Sequence, residues 1–201
     1  MTSARNRRVL LLSLAGAALV AACASPDPTL YTLGPVPGTA QPGGPRVVIL
    51  HQVAVARYLE RPEIVRSSEN YRLGVLSNES WGEPVAQMIE RVLTEDLSQR
   101  LPGTTIIDAG GAITGKEDAS VEVNIQRMDR DATGALAFAA QAAVEFTGSR
   151  SGEATRTVRT SVPVASSATG DEVRAMSVAL GQLADGIAEM LRRPPVTGRR
   201  G

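Results

Sequence analysis

Cys23 and His51 are the only cysteine and the only histidine in the 201 residues. A structural zinc site needs about four nitrogen or sulfur ligands, and a serine triad would have to use His51 as its base. His51 lies in a strand-like apolar stretch, and no serine stands in a nucleophile-elbow motif. We therefore expect no metal site, no cofactor and no nucleophilic triad.

A pair of carboxylates could still do acid–base chemistry. The run Gly115-Lys116-Glu117 lacks the spacing of a phosphate-binding loop and the Ser or Thr that follows its lysine. These features favour a protein that is not an enzyme, and a hydrolase built on a pair of carboxylates is the alternative. The acidic candidates by residue type are Glu60, Glu63, Glu83, Glu95 and Asp96.

The N-terminal stretch indicates export. Arg5, Arg7 and Arg8 precede an apolar run that covers residues 9–20. A helix needs roughly 20 apolar residues to cross a bilayer, so this run is too short for a permanent span. The pattern predicts a signal peptide over residues 1–22 that is cleaved before Cys23.

The residues at the predicted cleavage site, Val20-Ala21-Ala22-Cys23, resemble the bacterial lipobox. This resemblance implies that Cys23 carries a diacylglyceryl group and an N-linked acyl chain such as palmitate. Three acyl chains anchor a protein far more firmly than one. The residue after the cysteine is Ala24 and not the aspartate that would favour retention in the inner membrane. In this respect the sequence resembles lipoproteins that are sorted to the periplasmic face of the outer membrane.

Composition and length predict one folded domain behind a tether. The chain has 21 basic and 21 acidic residues, a balance that argues against nucleic acid as a partner. Residues 23–45 hold half of the 12 prolines, which predicts a tether that could extend up to about 70 Å, with Leu30–Leu33 as a possible docked strand. We expect a domain over residues 46–193 and a flexible basic tail over residues 194–201.

Two stretches have apolar residues at helical spacing. The first begins at Pro84, a residue suited to a first helical turn, and ends before Pro102-Gly103. The second begins near Thr169 and ends before Pro194. Thr169 and Glu172 have the spacing of a capping box, in which each side chain accepts the other residue's free backbone N–H.

The remaining apolar stretches indicate β-strands. Four are expected over residues 46–55, 63–67, 71–76 and 104–107, the second and third as a hairpin. Residues 121–126, 135–146 and 154–164 predict a three-stranded meander. The alanine-rich run 135–146 is also compatible with a helix, but the spacing of Phe138, Val144 and Phe146 and the turn residues at both ends favour a strand. The fold class is therefore α+β, with a mixed, largely antiparallel sheet packed by two amphipathic helices in a single domain.

Two motifs resemble a known family. Tyr58-Leu59-Glu60-Arg61-Pro62 and Trp81-Gly82-Glu83-Pro84 are similar to motifs of the PqiC/YmbA-type lipoproteins, also described as ABC-type transport auxiliary lipoproteins. Tyr31-Thr32-Leu33 is similar to the opening strand of that family. Glu60 and Ser80 depart from the pattern, where Asp and Arg are common.

The resemblance implies an auxiliary or docking role in an MCE-type intermembrane lipid transport system, with an MCE-domain protein as partner. The lipid anchor would place the protein on the outer membrane. Phospholipid and a second copy of the chain are further possible partners. A periplasmic module that binds lipid or a small ligand, and an assembly factor for another envelope machine, are the alternative functions.

Tyr58 and Trp81 are the candidate partner contacts, because tyrosine and tryptophan recur at protein interface hot spots. The alternative interpretation is structural. On that interpretation, Trp81 packs where the first helix begins and Tyr58 belongs to the core or to a hinge.

Overall fold

A computed structural model describes residues 27–113, 115–148 and 151–193. The predicted signal peptide, Cys23 and the basic tail at residues 194–201 lie outside the described residues. The described part holds nine strands, two α-helices and a 3-10 turn at Arg57–Leu59. The strands are β1 (Thr29–Tyr31), β2 (Val47–Leu50), β3 (Ala54–Val55), β4 (Glu63–Ser67), β5 (Gly74–Trp81), β6 (Thr105–Asp108), β7 (Ala119–Arg130), β8 (Leu136–Phe146) and β9 (Gly152–Val162), and the helices are α1 (Val85–Arg100) and α2 (Thr169–Arg192).

The nine strands form one mixed sheet around β7. One edge of β7 pairs with β8, which pairs with β9, and both ladders are long and antiparallel. The other edge pairs in turn with β2, β3 and β4, all parallel to β7. Beyond them, β6 pairs with β2. Beside β4 lies β5, and β1 pairs with the far edge of β5. The predicted α+β class and the meander are confirmed.

The core lies between the sheet and the two helices. In β7, the side chains at 119, 121, 123 and 125 are buried, and those at 122, 124 and 126 are exposed, as period-two alternation requires. Met88 and Leu93 of α1 and Leu180 and Ile187 of α2 are fully buried against this face. The aliphatic surface that these elements bury is the main favourable contribution to folding.

Three local details differ from the sequence prediction. The stretch at 46–55 forms two strands, because the chain leaves the ladder between Leu50 and Ala54. Pro84 precedes α1 as its capping residue, so the helix begins at Val85. The predicted capping box at α2 is wrong: the cap is Ala168, which has no side chain able to accept a bond, and Glu172 binds two arginines instead.

Residues 33–45, which the sequence places in the tether, lie against the two helices and form a segment that we call the strap. Leu33 is buried, and its N–H lies 3.1 Å from the Met88 sulfur of α1. The Gly34 N–H donates to Ser177 Oγ of α2 at 3.3 Å. The strap therefore touches both helices at its start.

Arg100, at the end of α1, holds the middle of the strap. Its guanidinium donates to Val36 O at 3.1 Å, and Asp96 Oδ1 accepts the Val36 N–H at 2.8 Å. The Gln41 N–H donates to Arg100 O at 2.7 Å. A side chain at Gly38 would collide with the Arg100 guanidinium, so a glycine is needed where the strap crosses the arginine.

Candidate functional site

Three segments that carry the family-like motifs meet at one end of β5. The Trp81 N–H donates to Pro62 O at 2.7 Å, and the Gly82 N–H donates to Tyr31 O at 2.9 Å. Tyr31 pairs with Trp81 in the parallel ladder of β1 and β5. Residues distant in sequence are therefore joined by backbone hydrogen bonds, which place them independently of side-chain motion.

The segments at residues 60–62 and 81–86 surround an open hollow of about 560 Å³ at the start of α1, and the Tyr31 segment is bonded to one of them at Gly82. Its floor is apolar, and charged side chains stand around it. A concave apolar surface with a few polar groups is the usual form of a site that binds a ligand or a partner side chain. The lining residues are Glu60, Arg61, Pro62, Trp81, Gly82, Glu83, Pro84, Val85 and Ala86.

Two ion pairs hold the charged groups near the hollow. Arg61 Nε lies 3.1 Å from Glu63 Oε2. Two hydrogen bonds hold the pKa of Glu63 below its usual range: a backbone bond has the larger effect, and the bond from Arg61 has the smaller. Arg91 Nη2 lies 2.7 Å from Glu83 Oε1 and 3.1 Å from Thr32 Oγ1. The second pair ties the turn before α1 to the segment that follows β1.

Trp81 is 8% exposed and belongs to the hydrophobic core. It also lines the hollow, so the small exposed part of the indole forms part of the floor. The structure thus combines the two interpretations of this residue: most of the ring packs in the core, and one part is open to an occupant. Contact with a partner stays a prediction.

Tyr58 does not line the hollow. It stands on the 3-10 turn, and its hydroxyl donates to Asp129 Oδ2 at 2.5 Å. Asp129 is fully buried and also accepts from Ser68 Oγ at 2.9 Å and Arg127 Nε at 3.1 Å. Burial raises the pKa of Tyr58, and the hydrogen bond to Asp129 raises it further by a smaller amount. Tyr58 therefore connects the turn to β7, and its own contact with a partner stays a prediction.

The carboxylate candidates separate into two groups. Glu60, Glu63 and Glu83 lie at or near the hollow. Glu95 is exposed and accepts from Gln99 at 3.0 Å, whereas Asp96 is fully buried beside Arg100. Burial raises the pKa of Asp96. These two neighbours therefore do not form an acid–base pair, because the helix turns them in different directions.

Sequence reasoning missed two buried ion clusters. Arg100, with a side chain 2% exposed, lies 2.6 Å from Asp185 Oδ1 and 3.5 Å from Asp96 Oδ1. Glu172 is fully buried and accepts from Arg66 Nε at 3.2 Å and Arg130 Nε at 2.9 Å. Each cluster joins residues distant in sequence, so no local sequence pattern predicts it. Within residues 27–113, 115–148 and 151–193, no group of three or more His, Cys, Asp or Glu side chains is placed to hold a metal ion.

His51 is exposed and lines a second depression of about 890 Å³ on the open face of the sheet, which is more polar than the hollow. Asn124 and Gln141 face each other there across β7 and β8. This depression and the apolar hollow are separate surfaces with no lining residue in common.

The fold and the hollow define a small α+β module that offers an open, apolar-floored surface to a ligand or partner. The family model for the ABC-type transport auxiliary lipoprotein component matches residues 31–188. The chain therefore belongs to that family, and its role is auxiliary to transport in the cell envelope. The suspected family resemblance is confirmed.

Solved structures share the fold. The crystal structure of an uncharacterized protein is 18% identical, with a TM-score of 0.67 over 82% of this chain and 98% of the other. A DUF330 family protein from Xanthomonas campestris is 20% identical, with a TM-score of 0.61 over 79% of this chain and 92% of the other. Comparison with curated protein sequences gave no match.

Among the described residues, neither α1 nor α2 has the length and apolar character needed to cross a bilayer.

Proposed function

We propose that this protein is a periplasmic lipoprotein, anchored to the outer membrane through Cys23, that docks an MCE-type intermembrane lipid transporter. The convergence of two motif segments, at residues 60–62 and 81–84, on one apolar hollow is the observation that carries the proposal, and the Tyr31 strand is bonded to Gly82 beside them. Membership of a transport auxiliary family supports the same role.

The hollow suits a protein segment with an apolar side chain at its centre. Pro62, Pro84 and the exposed part of Trp81 offer rigid apolar contacts, which lose little conformational freedom on binding. Glu60 and Arg61 at the edge offer charges of both signs for orienting a partner. An apolar anchor inside a polar rim is the usual arrangement of a protein interface.

Capture of an MCE-domain protein from native envelopes, by crosslinking the lipidated protein and identifying the product by mass spectrometry, tests the proposal. Ala86→Glu puts a longer, charged side chain into the hollow, whereas Gln87→Glu adds the same charge at the neighbouring, exposed position outside it. Both changes lie in the first turn of α1, where a negative charge is well tolerated.

We expect Ala86→Glu to abolish capture and Gln87→Glu to retain it. Equal capture by both variants would show that the hollow is not the docking surface. Failure of the unchanged protein to capture any MCE-domain protein, when it is folded and abundant, would remove the docking role altogether.

A second candidate function is the binding of a lipid tail or another small apolar ligand in the same hollow. Its volume of about 560 Å³ lies within the usual range for small-molecule sites. Native mass spectrometry of the purified protein distinguishes this function. A bound mass that Ala86→Glu removes supports it, and a clean spectrum of the unchanged protein argues against it.

A further inference from the structure

The hairpin between β4 and β5 ends in a strained turn. The Arg72 N–H donates to Glu69 O at 3.1 Å, and the two residues between them, Asn70 and Tyr71, have φ values of 54° and 60°. Two successive residues with positive φ define a type I′ turn, for which Asn-Gly is the favoured pair. Asparagine tolerates this conformation, but for a bulky residue such as tyrosine it is an outlier. Strain of this kind often marks a functional position.

Two exposed apolar side chains stand at this turn. Tyr71 is fully exposed, and Leu73 follows it in the hairpin with 46% exposure. The other exposed large hydrophobic residues within the described ranges lie elsewhere: Leu30 pairs with Ser80 near the Trp81 end of β5, and Ile113 is in the loop between β6 and β7.

The course of the chain brings the hairpin turn close to the predicted anchor. β1 runs parallel to β5 and pairs Thr29 with Glu79, so the chain before Thr29 leaves on the side that leads toward Gly74 and the hairpin turn. Thr29 follows Cys23 by only six residue steps, a contour length of about 20 Å at most. The five residue steps from Glu79 back to Gly74 span about 17 Å, so both lengths are similar.

We infer that Tyr71 and Leu73 form a membrane-facing hairpin tip that enters the interface of the bilayer holding the Cys23 lipid. This inference rests on the lipid anchor of the proposed function and adds the orientation of the domain. Tyrosine prefers the bilayer interface, where its ring lies among apolar groups and its hydroxyl stays hydrated. The exposed guanidinium of Arg72 lies beside it and matches lipid phosphates. The apolar hollow lies at the opposite end of β5, at Trp81.

Depth-dependent fluorescence quenching tests this orientation on the full-length lipidated protein. Acylation uses the only natural cysteine, so Arg72→Cys supplies a single thiol for a dye beside an intact Tyr71. Ala112→Cys is the matched control, because it is exposed and stands beside Ile113, an equally accessible apolar residue. The labelled proteins are placed in vesicles of phosphatidylethanolamine and phosphatidylglycerol that contain nitroxide-labelled lipid.

We expect quenching at position 72 to exceed that at position 112 severalfold, and the added changes Tyr71→Ser and Leu73→Ser to remove the difference. Equal quenching at the two positions, or none at position 72 while the protein floats with the vesicles, would overturn the orientation and leave the anchor in place. Failure to float would refute the lipid anchor itself, and the orientation with it.

Discussion

Arg100 of α1 and Asp185 of α2 form an ion pair with 2.6 Å between Nε and Oδ1, and the same guanidinium donates to Val36 O of the strap. Three separate segments therefore meet at one buried side chain. The close approach depends on Gly181, because a Cβ there would lie 3.2 Å from Val36 Cβ. The arginine thus attaches the N-terminal segment to both helices.

Removal of this guanidinium should destabilise the protein strongly. In Arg100→Met, Asp96 would remain fully buried without its ion partner, and we expect a loss of about 3–5 kcal/mol in the free energy of unfolding. Arg91→Met breaks an exposed pair with Glu83 and should cost at most about 1 kcal/mol. Urea titrations of both variants measure the difference, and equal losses would contradict the role given to Arg100.

Loss of the Tyr58 hydroxyl should cost stability because it removes a hydrogen bond to a buried carboxylate. Asp129 would keep its bonds from Ser68 and Arg127 in Tyr58→Phe, so we expect a loss of about 1–3 kcal/mol. Tyr31→Phe is the control, because the Tyr31 hydroxyl makes no hydrogen bond to any residue that the structure describes. Thermal unfolding compares the two, and an unchanged midpoint for Tyr58→Phe would show that its bond contributes nothing.

Relief of the strained turn should stabilise the protein. Tyr71→Gly creates the Asn-Gly pair that type I′ turns favour, and we expect a gain of about 1 kcal/mol in the free energy of unfolding. Asn70→Gly should gain less, because asparagine already tolerates positive φ. Chemical denaturation measures both. A destabilised Tyr71→Gly would mean that the tyrosine makes contacts that contribute more than the strain costs.

The buried carboxyl of Glu90 should make stability depend on pH. Burial, and then the neighbouring Asp108 carboxyl, raises its pKa from 4.5 to about 7. The folded protein therefore binds more protons than the unfolded chain between these two values, so stability falls as pH rises across this window, by up to about 3 kcal/mol.

Glu90→Gln tests that dependence, since glutamine is neutral at every pH. We expect the variant to gain stability relative to the unchanged protein as pH rises from about 5 to about 8. Glu95→Gln, on the exposed side of the same helix, should show no such trend. Denaturation midpoints across this pH range provide the comparison, and parallel curves for Glu90→Gln and the unchanged protein would refute the assignment.

The long elements were predictable because their patterns are local. Alternation from Val121 to Gln126 predicts a half-buried strand, and the apolar spacing in 85–101 and 173–191 predicts helices that cover one face of a sheet. Turn-forming residues such as Gly134, with φ of 84°, mark where the meander reverses. The motif residues at 60–62 and 81–84 were also apparent, and they line the hollow.

The capping-box error shows the limit of such patterns. Thr169 and Glu172 have the right spacing, but Arg66 and Arg130 approach from β4 and β7 and bind the Glu172 carboxylate. A buried carboxylate gains more from two guanidinium partners than from one backbone N–H. The competing residues stand 106 and 42 positions away in sequence, so the outcome depended on the assembled fold.

By itself, the sequence determined the α+β class, the meander, both helices and the motifs, because each depends on residues within a few positions of one another. Only the tertiary structure decided that two motif segments share one hollow, that the proline-rich strap docks on Arg100, and that Tyr58 points toward Asp129. Those relationships come from parallel pairing and buried charges that join distant segments. Their energies depend on desolvation, and a side chain's burial is set by the whole fold and not by its neighbours in the chain.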